Sequence, residues 1–329
     1  MAPLLKVQDI SACVKKNGKT YKILNNINFT IEEGEILGLA GESGCGKSIT
    51  ALSVSGLLPQ AVKISSGDIV YNGQSLVSLP EKEMRSIRGS QISIVFQDVR
   101  QALNPLIKIG SQITETLELG GSKDKEKNKN DVLELLSTIG FNNPLKIYNA
   151  YPHQLSGGMC QRVMTVIAII RKPKLLLGDE PSSSLDEESQ QKCLSLLTEM
   201  NREHKTSLLI ISHDLSIIRK ICSRYLIMYA GRIVEEGPSD SLFSPLHPYT
   251  NALINSIPHK DKRGKNLENI TGKVPSIEDQ LIGCPFAPRC PRAKDICKES
   301  FPSNYYHNQE GIKNKKVYCY FPLNGETNE

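Results

Sequence analysis

Apolar and polar positions alternate over the first part of the chain, in LKVQDISACV and again in KILNNINFTI. This is the period-two pattern of half-buried strands. Asn17-Gly18 separates the two runs, and that dipeptide supplies the two positive-φ residues of a tight hairpin turn. A second hairpin is predicted within SSGDIVYNGQSL, with Asn72-Gly73 at its turn. From Glu35 the pattern changes. Glu35–Ala40, Gln91–Phe96, Leu175–Gly178 and Ser207–Ser212 are short apolar runs, as expected of strands buried on both faces. Helical patterns lie between them: Lys47 to about Leu58, parts of Pro105–Ile139, and the stretch after Ser156. Buried strands alternating with helices predict an α/β domain, and the early hairpins add a small antiparallel layer. The charged run Gly120–Asp131, GGSKDKEKNKND, is expected to be a solvated loop.

Polar residues follow each buried run. After Ala40 come Gly41, Glu42, Ser43, Gly44, Cys45, Gly46, Lys47 and Ser48, a complete G-x-x-x-x-G-K-[ST] phosphate loop between strand and helix. Its glycines let successive N–H groups converge on one anion, and the helix adds its partial positive N-terminus. Lys47 is expected to reach the β- and γ-phosphates, and the Ser48 hydroxyl to ligate Mg²⁺. A glycine-rich turn with a chance Lys-Ser is the plainer alternative, and the flanking strand and helix speak against it. Gln97 stands at the tip of the second buried run. Leu155-Ser156-Gly157-Gly158 opens a helix, either as an N-cap or as a second phosphate cradle. Asp179 and Glu180 leave the third run. In a phosphate-loop protein one such carboxylate holds Mg²⁺ and the other orients or deprotonates the attacking water. His213 follows the fourth run, where it can donate to a γ-phosphate or serve as an ordinary surface histidine. Tyr21 either stacks on a nucleotide base or is a half-buried strand residue.

The 329 residues, 39% hydrophobic and 23% charged, suit one large globular domain with an extension. A net charge of +5 is too slight to argue for nucleic acid without a localised stripe. No apolar run approaches the roughly 18 residues of a membrane helix, and MAPLLKVQDI has no secretion-signal pattern. The expectation is a cytosolic protein that reaches any membrane through a partner. Of nine cysteines, Cys284, Cys290, Cys297 and Cys319 crowd the end of the chain. In a reducing compartment such a group suggests metal before disulfides. Four thiolates suit an iron–sulfur cluster or zinc, although the spacing is wider than the tight knuckles of structural zinc. Buried, unligated cysteines are the remaining reading. Arg289 and Arg292 are read either as offsetting a cluster's negative charge or as simply solvated. Cys45, inside the phosphate loop at a helix N-terminus, is expected to favour thiolate. Its alkylation should then block hydrolysis, with MgATP protecting.

These motifs, in this order over roughly residues 4–250, resemble the nucleotide-binding subunit of an ABC transporter. Gly41–Ser48 matches the family's Walker A, Gln97 its Q-loop and Leu155–Gly158 its signature. Asp179 and Glu180 match Walker B and the catalytic glutamate, Ser184-Leu185-Asp186 the D-loop, and His213 the H-loop. The resemblance implies a RecA-like P-loop NTPase core with an antiparallel β subdomain and an α-helical subdomain at about 98–172. It also implies ATP with Mg²⁺ on Ser48, Gln97 and Asp179, and catalysis by Lys47, Glu180 and His213. Two such subunits pack head to tail in the family, so Ser156, Gly157, Gly158 and Asp186 are expected to face nucleotide held by a second ATPase subunit. There are departures: Met159 stands where many members have Gln, and Val14 where a base-stacking aromatic is expected, leaving Tyr21 as a weak substitute.

Beyond residue 250, SPLHPYTNALINSIP, a polar stretch over Lys260–Lys273 and GCPFAPRCPRAKDICKES resemble the oligopeptide/dipeptide (and nickel) importer branch. Residues 1–250 are thus expected to form the ATPase domain, and 251–329 a small cysteine-containing extension. This resemblance implies two membrane permeases, an extracytoplasmic binding protein, a place on the cytoplasmic face of the membrane, and a [4Fe–4S] cluster on the four cysteines. The expected function is ATP hydrolysis driving peptide import, with nickel or a metal chelate as the alternative cargo. A soluble ABC ATPase acting on DNA or ribosomes is a further alternative. The single motif set and the lack of sustained heptads argue against it, and no nucleic-acid partner is expected.

Overall fold

The computed structural model describes residues 2–256, 270–279, 281–302, 305–306 and 314–323. Up to position 269, the polar stretch noted over Lys260–Lys273 lies outside the described residues. In chain order the strands are β1 (Leu5–Lys16), β2 (Lys19–Ile31), β3 (Ile36–Ala40), β4 (Val62–Tyr71), β5 (Gln74–Ser75) and β6 (Ile92–Val95). They continue with β7 (Leu175–Asp179), β8 (Ser207–Ile211), β9 (Arg224–Tyr229), β10 (Arg232–Pro238), β11 (Tyr305–Tyr306) and β12 (Lys316–Val317). The described residues divide into two units that interleave along the chain. One takes Ile31–Ile36 and Ser78–Ser212, the other Leu5–Thr30, Leu37–Val77 and the chain from His213 onward.

In the first unit β6, β7 and β8 run parallel, with Val95 opposite Gly178 and Asp179 opposite Ile211. Every residue of β7 and β8 is buried, which is why their sequences are continuous rather than alternating. The helices Ile109–Leu119, Lys125–Thr138, Pro144–Asn149 and Gly157–Ile169 pack on one another in this unit, which also holds Glu81–Ile87, Val99–Ala102 and Glu187–His204. Here the charged run corrects the sequence reading. Only its first residues are loop, and a helix begins at Lys125. The Asp124 carboxylate accepts from the Lys127 N–H at 2.9 Å as its N-cap. Lys and Glu are good helix formers, and Val132 and Leu136 are buried on the inner face.

In the second unit β2, β1, β4 and β5 form one sheet in that order. Both predicted hairpin turns are present, with Asn17 and Gly18 at φ 50° and 74° and Asn72 and Gly73 at 47° and 81°. The helix after the phosphate loop spans Lys47–Ser55 and stops at Gly56, which has φ 65°. β3 pairs in parallel with β9, β9 runs antiparallel to β10, and the carboxy-terminal β12 and β11 extend this sheet from β10. No described helix is long and apolar enough to cross a membrane.

The carboxy-terminal strand is anchored by a buried charge. Lys315 and Glu235 are 1% and 0% exposed and lie 3.0 Å apart. Tyr225 Oη and the N–H groups of Leu246 and His247 also donate to this carboxylate. Removing one member of a buried pair strands the other charge, at a cost of about 3–5 kcal/mol. Because three neutral donors remain on Glu235, we expect Lys315→Met to lose about 3 kcal/mol of unfolding free energy. Urea denaturation should show Lys315→Met/Glu235→Gln recovering part of that loss.

Candidate nucleotide site

The phosphate loop leaves β3 and curls before the helix Lys47–Ser55. Gly41, Gly44 and Gly46 have φ of 154°, 78° and 110°. A Cβ on Gly41 would lie 2.1 Å from the Met228 carbonyl oxygen, and one on Gly46 2.8 Å from Leu24. Only glycine lets the chain turn this closely against β9 and β2. The Lys47 side chain is buried, and its Nζ donates to the carbonyls of Gly41 and Glu42, both at 2.8 Å. The cation thereby closes the loop from inside. Ser43 and Gly44 are exposed at its crest, and Ser48 is half-buried.

Cys45 departs from the sequence expectation. The thiol is 1% exposed, and burial pushes its pKa up despite the Lys47 ammonium 3.7 Å away. Desolvation outweighs the helix N-terminus and the lysine. We therefore expect Cys45 to react with maleimide more slowly than a free thiol at pH 7.5, and its labelling to rise as pH climbs past the ordinary thiol range. Rapid labelling at neutral pH would show an accessible thiolate instead.

The loop is also held from the carboxy-terminal side. Arg289, 4% exposed, grips both carboxylate oxygens of Glu42 at 2.8 and 3.2 Å. The same guanidinium donates to Tyr229 Oη and to the carbonyls of Ile270 and Thr271. The Glu42 N–H donates to Tyr249 Oη at 2.8 Å. Tyr229, Tyr249 and Phe286 pack together beneath, with ring centroids 4.5–5.4 Å apart. Arg289 is thus committed to the phosphate loop, which corrects its expected role of offsetting charge at the four cysteines. Arg292 does line the cavity of those cysteines.

In the other unit, the strand ends present Gln97, Asp179 and Glu180. Gln97 is exposed two residues beyond Val95, and Glu180 stands two residues beyond its strand neighbour Gly178. Asp179 closes β7 and is 6% exposed. Glu180 has φ 53°, a left-handed conformation that costs a non-glycine residue and persists where surroundings enforce it. They do so here: its N–H donates to the Ile211 carbonyl at 3.0 Å, and its carbonyl accepts from Gln161 Nε2 at 2.6 Å. Gln161, fully buried, also accepts from the Ser184 N–H at 3.0 Å. One side chain of the signature helix therefore fixes both ends of the turn 180–184. No motif or spacing in the sequence marks Gln161 for this role.

Ser156 is the exposed N-cap of the helix Gly157–Ile169 and accepts from the Met159 N–H. A Cβ on Gly158 would stand 3.0 Å from the Ser184 carbonyl, whereas Gly157 faces open space. Asp186 caps the helix Glu187–His204, and the Ser189 N–H donating to it lowers its pKa. His213 is exposed just after β8, beside Asp214, the N-cap of the helix Leu215–Ile221. Tyr21 lies half-buried in β2.

Cys284, Cys290, Cys297 and Cys319 all line one cavity of about 20 Å³. Burial, reinforced by the neighbouring thiols, pushes Cys284 up to about 11 and Cys319 up to about 12. His247 lines the same cavity, its Nδ1 accepts from the Tyr249 N–H, and its buried Nε2 has no partner among the described residues. The donor set suits a soft metal. The space takes about one water-sized body, and among the described residues no group of three Cys, His, Asp or Glu is gathered closely enough to hold a metal ion.

Comparison with known proteins bears on the whole chain. The ABC transporter family profile matches residues 24–183, and the profile "Oligopeptide/dipeptide transporter, C-terminal region" matches residues 234–297. A probable peptide ABC transporter ATP-binding protein of Sinorhizobium fredii is 40% identical over 91% of this chain and 90% of its own length. The dipeptide transport ATP-binding protein DppD of Haemophilus influenzae is 37% identical over 99% of this chain and 97% of its own. Among solved structures, the ATP-binding cassette MJ0796, a dimer in a post-hydrolysis state bound to ADP and Pi, superposes with a TM-score of 0.66 at 26% identity. That match covers 71% of this chain and 98% of the cassette. The fold is accordingly the RecA-like P-loop α/β fold of these cassettes, and the chain belongs to the ABC transporter family of ATPases, in the group that carries the oligopeptide/dipeptide transporter C-terminal region.

Proposed function

We propose that this chain hydrolyses ATP to energise the import of oligopeptides or dipeptides through a membrane ABC transporter. The observation that carries the reading is the pairing of a full set of ATPase motifs with the oligopeptide/dipeptide C-terminal region in one chain. The relatives, described as peptide and dipeptide transport ATP-binding proteins, support it. The partners in this reading are a second ATPase subunit, two permeases and an extracytoplasmic binding protein. The permeases hold the chain at the cytoplasmic face of the membrane.

In this mechanism Lys47 and the loop N–H groups bind the β- and γ-phosphates. Ser48, Gln97 and Asp179 are oxygen donors suited to a hard cation, and Mg²⁺ bound there would neutralise developing phosphate charge. Glu180 orients and deprotonates the water, and His213 donates to the γ-phosphate. Ser156, Gly157 and Gly158 offer the N-terminus of their helix to the nucleotide of the second ATPase, with Asp186 at the same interface. Because that wall comes from another subunit, turnover belongs to the assembled pair.

The four cysteines we read as ligands of a metal centre, [4Fe–4S] with zinc as the alternative. Four thiols on one cavity support this, as does His247 in the same lining, whose buried Nε2 has no partner among the described residues. Iron, zinc and sulfide assayed on complex purified without oxygen decide the point, since protein free of all three leaves only packing cysteines. For the main reading, the chain co-expressed with its permeases should show peptide-stimulated ATPase activity and peptide uptake in vesicles. Nickel uptake without peptide uptake would replace the cargo. Sedimentation with ribosomes or DNA, and none with membranes, would end the transport reading.

A further inference from the structure

A cavity of about 460 Å³ adjoins the phosphate loop, with Gly44 in its wall. That volume lies in the range of small-molecule sites. Ile23 and Asn25 of β2 form one side. The other side comes from the carboxy-terminal extension: Pro275, Ile277, Leu281 and Ile282. Three of these apolar side chains are conspicuously open, with Ile277 37%, Leu281 39% and Ile282 79% exposed. No aromatic ring is among the described residues that line the space, and Tyr21 is not one of them.

We propose that this cavity is the nucleobase subsite and that the carboxy-terminal extension forms its apolar wall in cis. The proposal rests on the reading of Gly41–Ser48 as a triphosphate loop. Phosphates held by that loop put the nucleoside within a ribose's length of it, and this cavity begins at Gly44. A purine offers two apolar faces and a polar edge. Ile277, Leu281 and Ile282 cover a face, while Asn25 and Ser276 offer donors and acceptors at the edge. The segment is tied down within the wall and again beyond it. Lys16 of β1 pairs with Glu278 at 2.8 Å, and Arg289 pairs with Glu42 of the loop itself. The aliphatic wall thus takes the place of the aromatic ring that position 14, a valine, does not provide.

The test uses the full chain assembled with its permeases and compares two ligands for the same site. ATP carries a base, whereas inorganic tripolyphosphate occupies only the phosphate loop. Ile282→Ser, and separately Leu281→Ala, should weaken ATP binding about tenfold and about threefold, as expected for loss of one or two buried apolar contacts. Tripolyphosphate affinity should stay within about twofold. Ile282 is exposed, so its replacement does not threaten the fold. Unchanged ATP affinity in both variants, or an equal shift for both ligands, would refute the base wall. If neither ATP nor tripolyphosphate binds the wild-type complex, the phosphate-loop reading itself has failed.

Discussion

Glu180→Gln should lower ATP turnover by the assembled transporter about 10²–10⁴-fold, the usual worth of a positioned general base, while ATP still binds. The geometry makes this a clean substitution. Glu180 sits at φ 53° and its backbone is fastened on both sides, to Ile211 through its N–H and to Gln161 through its carbonyl. These bonds are made by the backbone, so an amide of equal size at this position keeps them. Asp179, the carboxylate assigned to the cation, is untouched. Phosphate-release assays at saturating ATP would show the loss, and equilibrium binding of labelled ATP would show its retention. Turnover within threefold of wild type would remove Glu180 from the chemistry and leave only its place in the turn.

Much of this arrangement is legible in the sequence because it is local. The phosphate loop, both Asn-Gly hairpins and the polar residues ending apolar runs each occupy a few consecutive positions, and the backbone demands those residue types there. Over the charged run 120–131 composition does not decide, because Lys, Glu and Asp suit a solvated loop and an exposed helix turn equally. The deciding signal was Asp124, a cap at the start of a stretch with Val132 and Leu136 spaced one turn apart.

What remained hidden is long-range. Arg289 and Glu42 are 247 positions apart, and Lys315 and Glu235 are 80 apart by their numbers. No period or spacing announces such pairs, and a lone charged residue in a polar segment reads as solvated. Gln161 was likewise invisible as a latch, because a glutamine in a helix declares no partner. The reversal at Cys45 has the same origin. Sequence shows the helix N-terminus and the nearby lysine, but not the burial that outweighs them.

Lys47→Ala should weaken ATP binding at least about 100-fold, equivalent to about 2.7 kcal/mol, which lies at the lower end for truncating one partner of a desolvated charge pair. Two losses combine. The ammonium that meets the phosphates is gone, and the carbonyls of Gly41 and Glu42 lose the donor that closes the loop. The carboxy-terminal extension should nevertheless keep its fold, because none of its ties passes through Lys47. Arg289 holds the Glu42 carboxylate, Tyr249 Oη accepts from the Glu42 N–H, and Lys315 pairs with Glu235. The check is therefore double: equilibrium binding of labelled ATP, and the rate at which the four terminal cysteines react with a thiol reagent. Lost ATP binding with unchanged cysteine reactivity is the expected result. Faster modification of those cysteines would mean that the lysine organises the extension as well as the loop, and undiminished ATP binding would take Lys47 out of the phosphate site.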